Sequence, residues 1–426
     1  MSIEHLYTIY KRHPSVQTDT RKLKTGDIFF ALKGDNFDGN AFAKQAIEAG
    51  AAYAVIDDAA CEIPGKTILV ENVLTALQQL AKHHREQFHI PFIAITGSNG
   101  KTTTKELVHA VLSSCFKTYT TEGNLNNHIG IPLTILKVKA DAEIAVIEMG
   151  ANHQKEIAGY CEYTQPTHGI ITNCGKAHLE GFGGTEGVRK GKGELYDYLR
   201  ENNGIAFVMW DYDYLREMSK DILRIIKYGT DNADIEGNSL KCDPFLEVLI
   251  SKGADTGIIR TKLVGEYNLP NILLAVTVGK YFNVSDKKIK EAIENYTPSN
   301  SRSQLIRKGT NNIILDAYNA NPSSMKLAIE NFSKLNALDK IVMLGAMAEL
   351  GTESLAEHSA LIKIISQGNW KYVVLVGGDF LKLNHPFISF QNAVQAKQWY
   401  QQQHFENTHI LIKGSRSMKM ETILEP

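Results

Sequence analysis

The run Ile95-Thr-Gly-Ser-Asn-Gly-Lys-Thr-Thr-Thr-Lys-Glu106 constrains this chain more than any other stretch of it. It follows the apolar segment Pro91-Phe-Ile-Ala-Ile95 and opens a pattern with Leu107, Val108, Val111 and Leu112 on one helical face. Strand, glycine-bearing loop and helix therefore succeed one another without a gap. Gly97 and Gly100, with Ser98 and Asn99 between them, let the backbone turn its N–H groups onto an anion at a helix N-terminus. Lys101 supplies a point charge for the outer phosphates, the Thr102 hydroxyl can ligate Mg2+, and Thr103 completes the first turn. The expected ligand is a nucleoside triphosphate. A strict Walker pattern carries a further glycine where this chain has Ile95, so the loop is a shortened Gly-x-x-Gly-Lys-Thr form. Alone, the same residues also suit a Gly-Asn turn before an amphipathic helix.

A chain of 426 residues has room for about three domains. With 43% hydrophobic and 22% charged residues it can bury sizeable cores, and its formal net charge of -1 argues against a general nucleic-acid binder. Cys61, Cys115, Cys161, Cys174 and Cys242 are scattered without a Cys-x-x-Cys pair, which predicts neither a disulfide framework nor a zinc knuckle. No export leader or membrane span is expected, and the reading is a cytoplasmic protein that touches no membrane.

Three α/β blocks are expected. Residues 1–88 read as a small unit with strands at 27–32 and 52–56 and helices at 41–51 and 73–84. Its polar loops around Thr20, Arg21, Lys33 and Asp38 suit turn chemistry as well as ligand contact. Residues 89–297 read as a parallel sheet with strands at 91–96, 117–121, 142–148, 168–173 and 204–210, followed by hairpins within 234–264. Ligands of such sheets gather at the carboxyl ends of the strands. That edge carries Gly123-Asn-Leu-Asn-Asn127, Glu148 and the segment Asn173 to His178. Glu148 is either a solvated cap or a metal-holding carboxylate, and His178 either structural or a cation ligand. Asn268 and Asn271 open a helix, Asn268 being suited to capping it.

Within 185–200 a helical wheel at roughly 100° per residue puts Val188, Leu195, Tyr196 and Leu199 on one face, with Lys192 about 40° from Val188. A lysine on a buried stripe must snorkel, pair, lose its proton or be chemically altered. The third block, 298–426, is expected to have strands at 303–308, 312–316, 340–345, 372–376 and 409–413. Asp316-Ala-Tyr-Asn-Ala-Asn-Pro322 falls between a strand and a helix, with Pro322 suited to the first helical turn.

Taken together, Thr96 to Glu106, Glu148-Met-Gly-Ala151, Ala177-His-Leu-Glu180, Lys192-Gly-Glu194, Asp316 to Pro322 and Lys413-Gly-Ser-Arg-Ser-Met418 resemble the Mur ligase family. The last two strings resemble the branch that adds D-alanyl-D-alanine to UDP-N-acetylmuramoyl-tripeptide. The resemblance implies a UDP-binding N-terminal domain, a central phosphate-loop ATPase domain and a C-terminal Rossmann-like domain that closes on ATP and brings the dipeptide. It implies that Lys101, Glu148, His178 and Lys192 are catalytic. Lys101 and Thr102 would bind the phosphates and a first Mg2+ ion, His178 and a carbamylated Lys192 would hold a second, and Glu148 would be shared between the two. Asn268, Asn271, Arg302, Asp316 and Tyr318 would surround the nucleotide. Thr20, Arg21, Lys33 and Asp38 would contact the UDP-sugar, with Asn126, Asn127 and Asn319 also on the substrate side. A monomer is expected. Tyr267, Asn40 and Ala346 depart from the branch's usual residues.

Overall fold

The computed structural model describes residues 2–299 and 301–425; Asn300 and the outermost residues of the expected blocks, Met1 and Pro426, lie outside it. Each block contributes one principal sheet. The first has four parallel strands in the order Val16–Gln17, Ile28–Phe30, Tyr53–Ile56 and Thr67–Leu69. The expected helix at 41–51 is a 3-10 turn, Gly39–Phe42, followed by the short helix Ala43–Glu48, because Asp38 caps the turn through the Asn40 N–H. The helix Val73–Arg85 starts under an Asn72 side-chain cap, and it leads into the second block.

The middle sheet has nine strands. Third from one edge, Phe92–Thr96 lies between His168–Ile171 and Ile144–Glu148, all parallel, with Thr118–Thr120 at that edge. Burial on both faces explains why these strands read as continuous apolar runs. Beyond Ile205–Met209 comes Arg224–Gly229, a strand the periodicity does not announce. The antiparallel strands Ile235–Cys242, Phe245–Lys252 and Ile258–Val264 extend the sheet, as the hairpin pattern predicts. In register, Ile95 faces Glu148 and Thr96 faces Ile171, so loop, carboxylate and the segment after Ile171 emerge at one level.

The third sheet runs Gln304–Lys308, Asn311–Asp316, His409–Lys413, Lys340–Gly345, Tyr372–Val376 and Ile388–Phe390, parallel except for the first pair. The last, three-residue edge strand is not foreseen from the sequence. Pro322 opens the helix Pro322–Ser333 under a capping box built by Asn321 and Ser324. No helix among the described residues is long and apolar enough to cross a membrane. All five cysteines are unpaired.

Candidate active site

The loop leaves the middle sheet at Thr96 and enters the helix Lys101–Ser113 through Gly100, whose φ of 80° suits glycine. Gly97 has φ 141°, and a Cβ there would stand 2.0 Å from the Thr172 Oγ1. The adjoining segment braces the loop: the Ser98 N–H donates to the Asn173 carbonyl at 2.9 Å and the Asn99 N–H to Asn173 Oδ1 at 3.0 Å. The Ser98 hydroxyl donates to the Gly175 carbonyl at 2.9 Å and the Thr172 hydroxyl to the Asn99 carbonyl at 2.7 Å. The Ser98 and Asn99 amides are therefore both spent on Asn173, while the two residues line the cavity described below. The helix has no side-chain cap, which leaves the amides of Lys101, Thr102 and Thr103 in its first turn open to an anion.

Lys101 folds back, its Nζ donating to the Gly97 carbonyl at 2.6 Å. Burial holds its ammonium below the ordinary lysine value; the Glu148 carboxylate opposes this, and the Arg302 guanidinium adds to it. Glu148 is 1% exposed. Its Oε1 accepts from the Asn126 Nδ2 at 2.7 Å and the Thr102 hydroxyl at 3.2 Å. Its Oε2 is buried with no hydrogen-bond partner among the described residues. A buried carboxylate oxygen without a donor, beside a hydroxyl, fits a hard divalent cation.

Asn127 lines the same cavity, its Oδ1 accepting from the Ile129 and Gly130 N–H groups at the start of the helix Gly130–Leu136. Asn268 is likewise corrected, because its side chain does not cap the helix Leu269–Tyr281. Its Nδ2 donates to the Val264 carbonyl and its Oδ1 accepts from the Asn271 Nδ2, each at 2.9 Å. The Asn271 Oδ1 in turn accepts from the Thr104 hydroxyl at 3.0 Å and would lie 2.9 Å from a Cβ at Gly100. The two asparagines thus brace the start of the loop helix, and both line the cavity described below.

His178 lies seven residues past the observed end of its strand at Ile171, not five past the expected end at 173. Its Nδ1 stands 2.5 Å from the Glu349 Oε2 of the third block. Lys192 is 1% exposed on the buried face of the helix Thr185–Glu201, as the wheel predicts. Its Nζ donates to the Ala151 carbonyl at 3.1 Å and lies 4.9 Å from the Phe182 ring centre. Burial, with Lys101 nearby, pulls its ammonium down to about 7. Lys192 does not line the cavity that Glu148 and His178 share, and no three His, Cys, Asp or Glu residues among those described gather as a metal cluster.

That cavity, of about 890 Å3, opens between the middle and third blocks. From the third block, the Arg302 guanidinium lies 3.7 Å from the Tyr318 ring centre. Asp316 accepts from the Ser303 N–H at 3.2 Å and pairs with the Lys413 Nζ at 2.6 Å. Asn319 Oδ1 accepts from the Ala320 N–H at 2.9 Å. The third block also grips the loop directly: the Asn321 Nδ2 donates to Asn99 Oδ1 at 2.7 Å, the Lys176 N–H to the Ser323 hydroxyl at 3.0 Å, and the Lys176 Nζ pairs with Glu357 at 2.5 Å. Sequence reasoning assigned no role to Lys413, Asn321 or Glu349. The signal for Lys413 was present, since it and Asp316 each end an apolar strand.

Thr20, Arg21, Lys33 and Asp38 do not line this cavity. Arg21 pairs with Asp19, and Lys33 with Asp57 at 2.9 Å and Asp38 at 3.8 Å. Asn40 is buried and bonded to Asp38 and Asp57. Tyr267 is bonded through its hydroxyl to the Ser303 hydroxyl, and the Ala346 carbonyl accepts from Ser415.

An uncapped helix behind a glycine loop, with a buried strand-end carboxylate facing it and two further α/β domains around it, defines a phosphate-loop nucleotide-handling protein of three domains. Family models for the Mur ligase catalytic domain, the Mur ligase middle domain and the Mur ligase glutamate ligase domain match residues 14–85, 95–279 and 301–416. The chain belongs to the Mur ligase family. It is 35% identical over 423 residues to the UDP-N-acetylmuramoyl-tripeptide--D-alanyl-D-alanine ligase of Bacillus subtilis (strain 168), covering 96% of this chain and 92% of the relative. It is 34% identical over 429 residues to the ligase of the same name from Escherichia coli (strain K12), with the same coverage. A crystal structure of MurF from Acinetobacter baumannii superposes with a TM-score of 0.87 at 31% identity, covering 96% of this chain and 92% of that one. MurF ligase from Thermotoga maritima in complex with ADP gives 0.85 at 25% identity, covering 96% of each.

Proposed function

We propose that this chain is an ATP-dependent amide ligase that joins D-alanyl-D-alanine to the terminal carboxylate of UDP-N-acetylmuramoyl-tripeptide in peptidoglycan precursor synthesis. The observation that carries this reading is the single cavity onto which the phosphate loop, the Glu148–Asn126 pair and the Arg302–Tyr318 stack all open. Identity of 34–35% over 96% of the chain to ligases of that name supports the substrate pair, and the ADP complex of the Thermotoga relative supports ATP.

A carboxylate resists attack because its charge repels nucleophiles and oxide is a poor leaving group. In the proposed reaction a carboxylate oxygen of the tripeptide attacks the γ-phosphorus, the bond to the bridging oxygen breaks, and its electron pair leaves with ADP. Lys101 and the amides of the first helical turn balance the charge on the transferring group. The dipeptide amine then attacks the acyl carbon, phosphate departs with the electron pair of the broken C–O bond, and the amine gives up a proton. Asn126 serves the reacting carboxylate, Arg302, Asp316 and Tyr318 the nucleotide, and Asn319 the incoming dipeptide. The third block's grip on the loop excludes water from the acyl phosphate.

Thr102 and Glu148 would hold Mg2+, which when bound supplies charge neutralisation on the triphosphate. His178 and Lys192 would serve a second ion, Lys192 after its weakly basic amine takes up CO2 as a carbamate and releases a proton. Thr20, Arg21, Lys33 and Asp38 would receive the UDP-sugar. The enzyme would act as a cytoplasmic monomer. Incubation with ATP, Mg2+, D-alanyl-D-alanine and UDP-muramoyl-tripeptide should yield ADP and a UDP-linked pentapeptide by mass. ADP release without that product would defeat the reading.

A further inference from the structure

A second groove, of about 310 Å3, runs between the helix Val73–Arg85 of the first block and the helix Glu156–Thr164 of the second. His128, Glu156 and Tyr160 line both this groove and the main cavity, so the two spaces share a wall two residues from Asn126. On the opposite side stands Gln78, whose Nε2 donates to the His128 carbonyl at 3.1 Å. The helix carrying Gln78 begins where the Val73 N–H donates to Asp57, the carboxylate that pairs with Lys33. The groove therefore shares a wall with the cavity that holds Asn126, and the helix on its other side leads back to the Lys33–Asp57 pair.

Its lining is ready for a charged ligand. Tyr163 is 6% exposed, and its hydroxyl is buried with no partner among the described residues. The Glu156 carboxylate is already committed to the Asn152 and His153 N–H groups. Lys155 and Glu162 are exposed, and neither has an ion-pair partner among the described residues. Lys155 stands at the N-terminal cap of the helix Glu156–Thr164 and Glu162 in its later part, seven residues on, and both line the groove. One cation and one anion spaced this way can take the two ends of a small zwitterion between them. Lys155 holds φ at 70°, a left-handed conformation that is strained for a non-glycine residue.

We infer that this groove receives the side chain of the tripeptide's third residue, and that Lys155 and Glu162 select a side chain ending in its own amino and carboxylate groups, as in diaminopimelate, over the lone ammonium of lysine. The inference rests on the ligase reading above. Lysine offers Glu162 a partner but brings Lys155 a like charge, whereas the dicarboxylate form satisfies both.

The test is the kcat/KM ratio for UDP-muramoyl-tripeptides ending in meso-diaminopimelate and in L-lysine, with ATP and D-alanyl-D-alanine saturating. The intact enzyme should favour the diaminopimelate peptide about tenfold or more, the effect of one charge-assisted contact. Lys155→Gly suits the left-handed backbone, so the fold is preserved. It should raise KM for the diaminopimelate peptide several-fold, bring the ratio toward one, and leave KM for ATP unchanged. Glu162→Gln should weaken both peptides. A ratio that Lys155→Gly does not move, or a preference for lysine in the intact enzyme, overturns the inference while leaving the ligase reading standing. Failure to ligate either peptide removes the reading itself.

Discussion

Asn99, at the tip of the phosphate loop, accepts a 2.7 Å hydrogen bond from Asn321, the residue that also caps the first helix of the third block. One side chain thus starts a helix with its oxygen and holds the neighbouring domain with its nitrogen. Asn321→Asp keeps the capping oxygen and removes the donor. The melting temperature should stay within a few degrees, while kcat/KM for ATP falls about three- to tenfold, the worth of one hydrogen bond. Equal kinetics in variant and parent would show that the contact has no part in closure.

Glu148→Gln replaces the unpartnered Oε2 with an amide and removes the charge. Calorimetric ATP binding should lose most of its dependence on Mg2+, and turnover should fall by about 100-fold or more. Folding should be unharmed, because the wild-type oxygen makes no hydrogen bond that the amide would break.

Lys192→Met should abolish ligation yet leave stability unchanged or slightly raised, since it exchanges a buried amine holding a single carbonyl contact for an apolar chain of similar length. Recovery of activity in Lys192→Ala on adding a short carboxylic acid would identify the missing group as a carboxylate. Full activity in the Met variant would rule the residue out.

Asp316 and Lys413 face each other in register at the ends of parallel strands, and the lysine side chain is 2% exposed. Asp316→Asn strands that ammonium, so unfolding in urea should show a loss of about 3 kcal/mol. A loss below about 1 kcal/mol would mean that the ammonium finds another partner.

His168 lies among Phe207, Tyr281 and Phe282. Burial, assisted by the Arg224 guanidinium, pulls its imidazole down to about 4. The unfolded histidine titrates near 6.5, so between pH 6.5 and 4 the unfolded chain binds more protons than the folded one. Stability therefore falls as pH drops through that window, by up to ~3 kcal/mol from this residue. His168→Phe should show a smaller drop in melting temperature between pH 7 and pH 5 than the parent.

The central sheet, the loop and the inward turn of Lys192 were legible because each is a local pattern: an apolar run, a pair of glycines, a helical period. Arg224–Gly229 escaped because it mixes Arg and Lys with Ile and Tyr where the sheet passes to its hairpin extension, and Ile388–Phe390 because three edge residues carry no period. The asparagines are ambiguous for another reason. An amide can cap a helix, read a nucleotide or brace a neighbour, and only tertiary placement shows that Asn268 and Asn271 bond to each other and that the Ser98 and Asn99 amides are used by Asn173. The link between Asn99 and Asn321 crosses 222 positions, beyond any spacing rule.

The close approach of Gly97 to Thr172 carries a consequence for engineering. Because the loop is shaped by Thr172, Asn173 and Gly175 at another strand's exit, transplanting residues 96–102 alone into a foreign scaffold would deliver a slack turn with its donors misdirected. A working graft has to bring Thr172 to Gly175 with it.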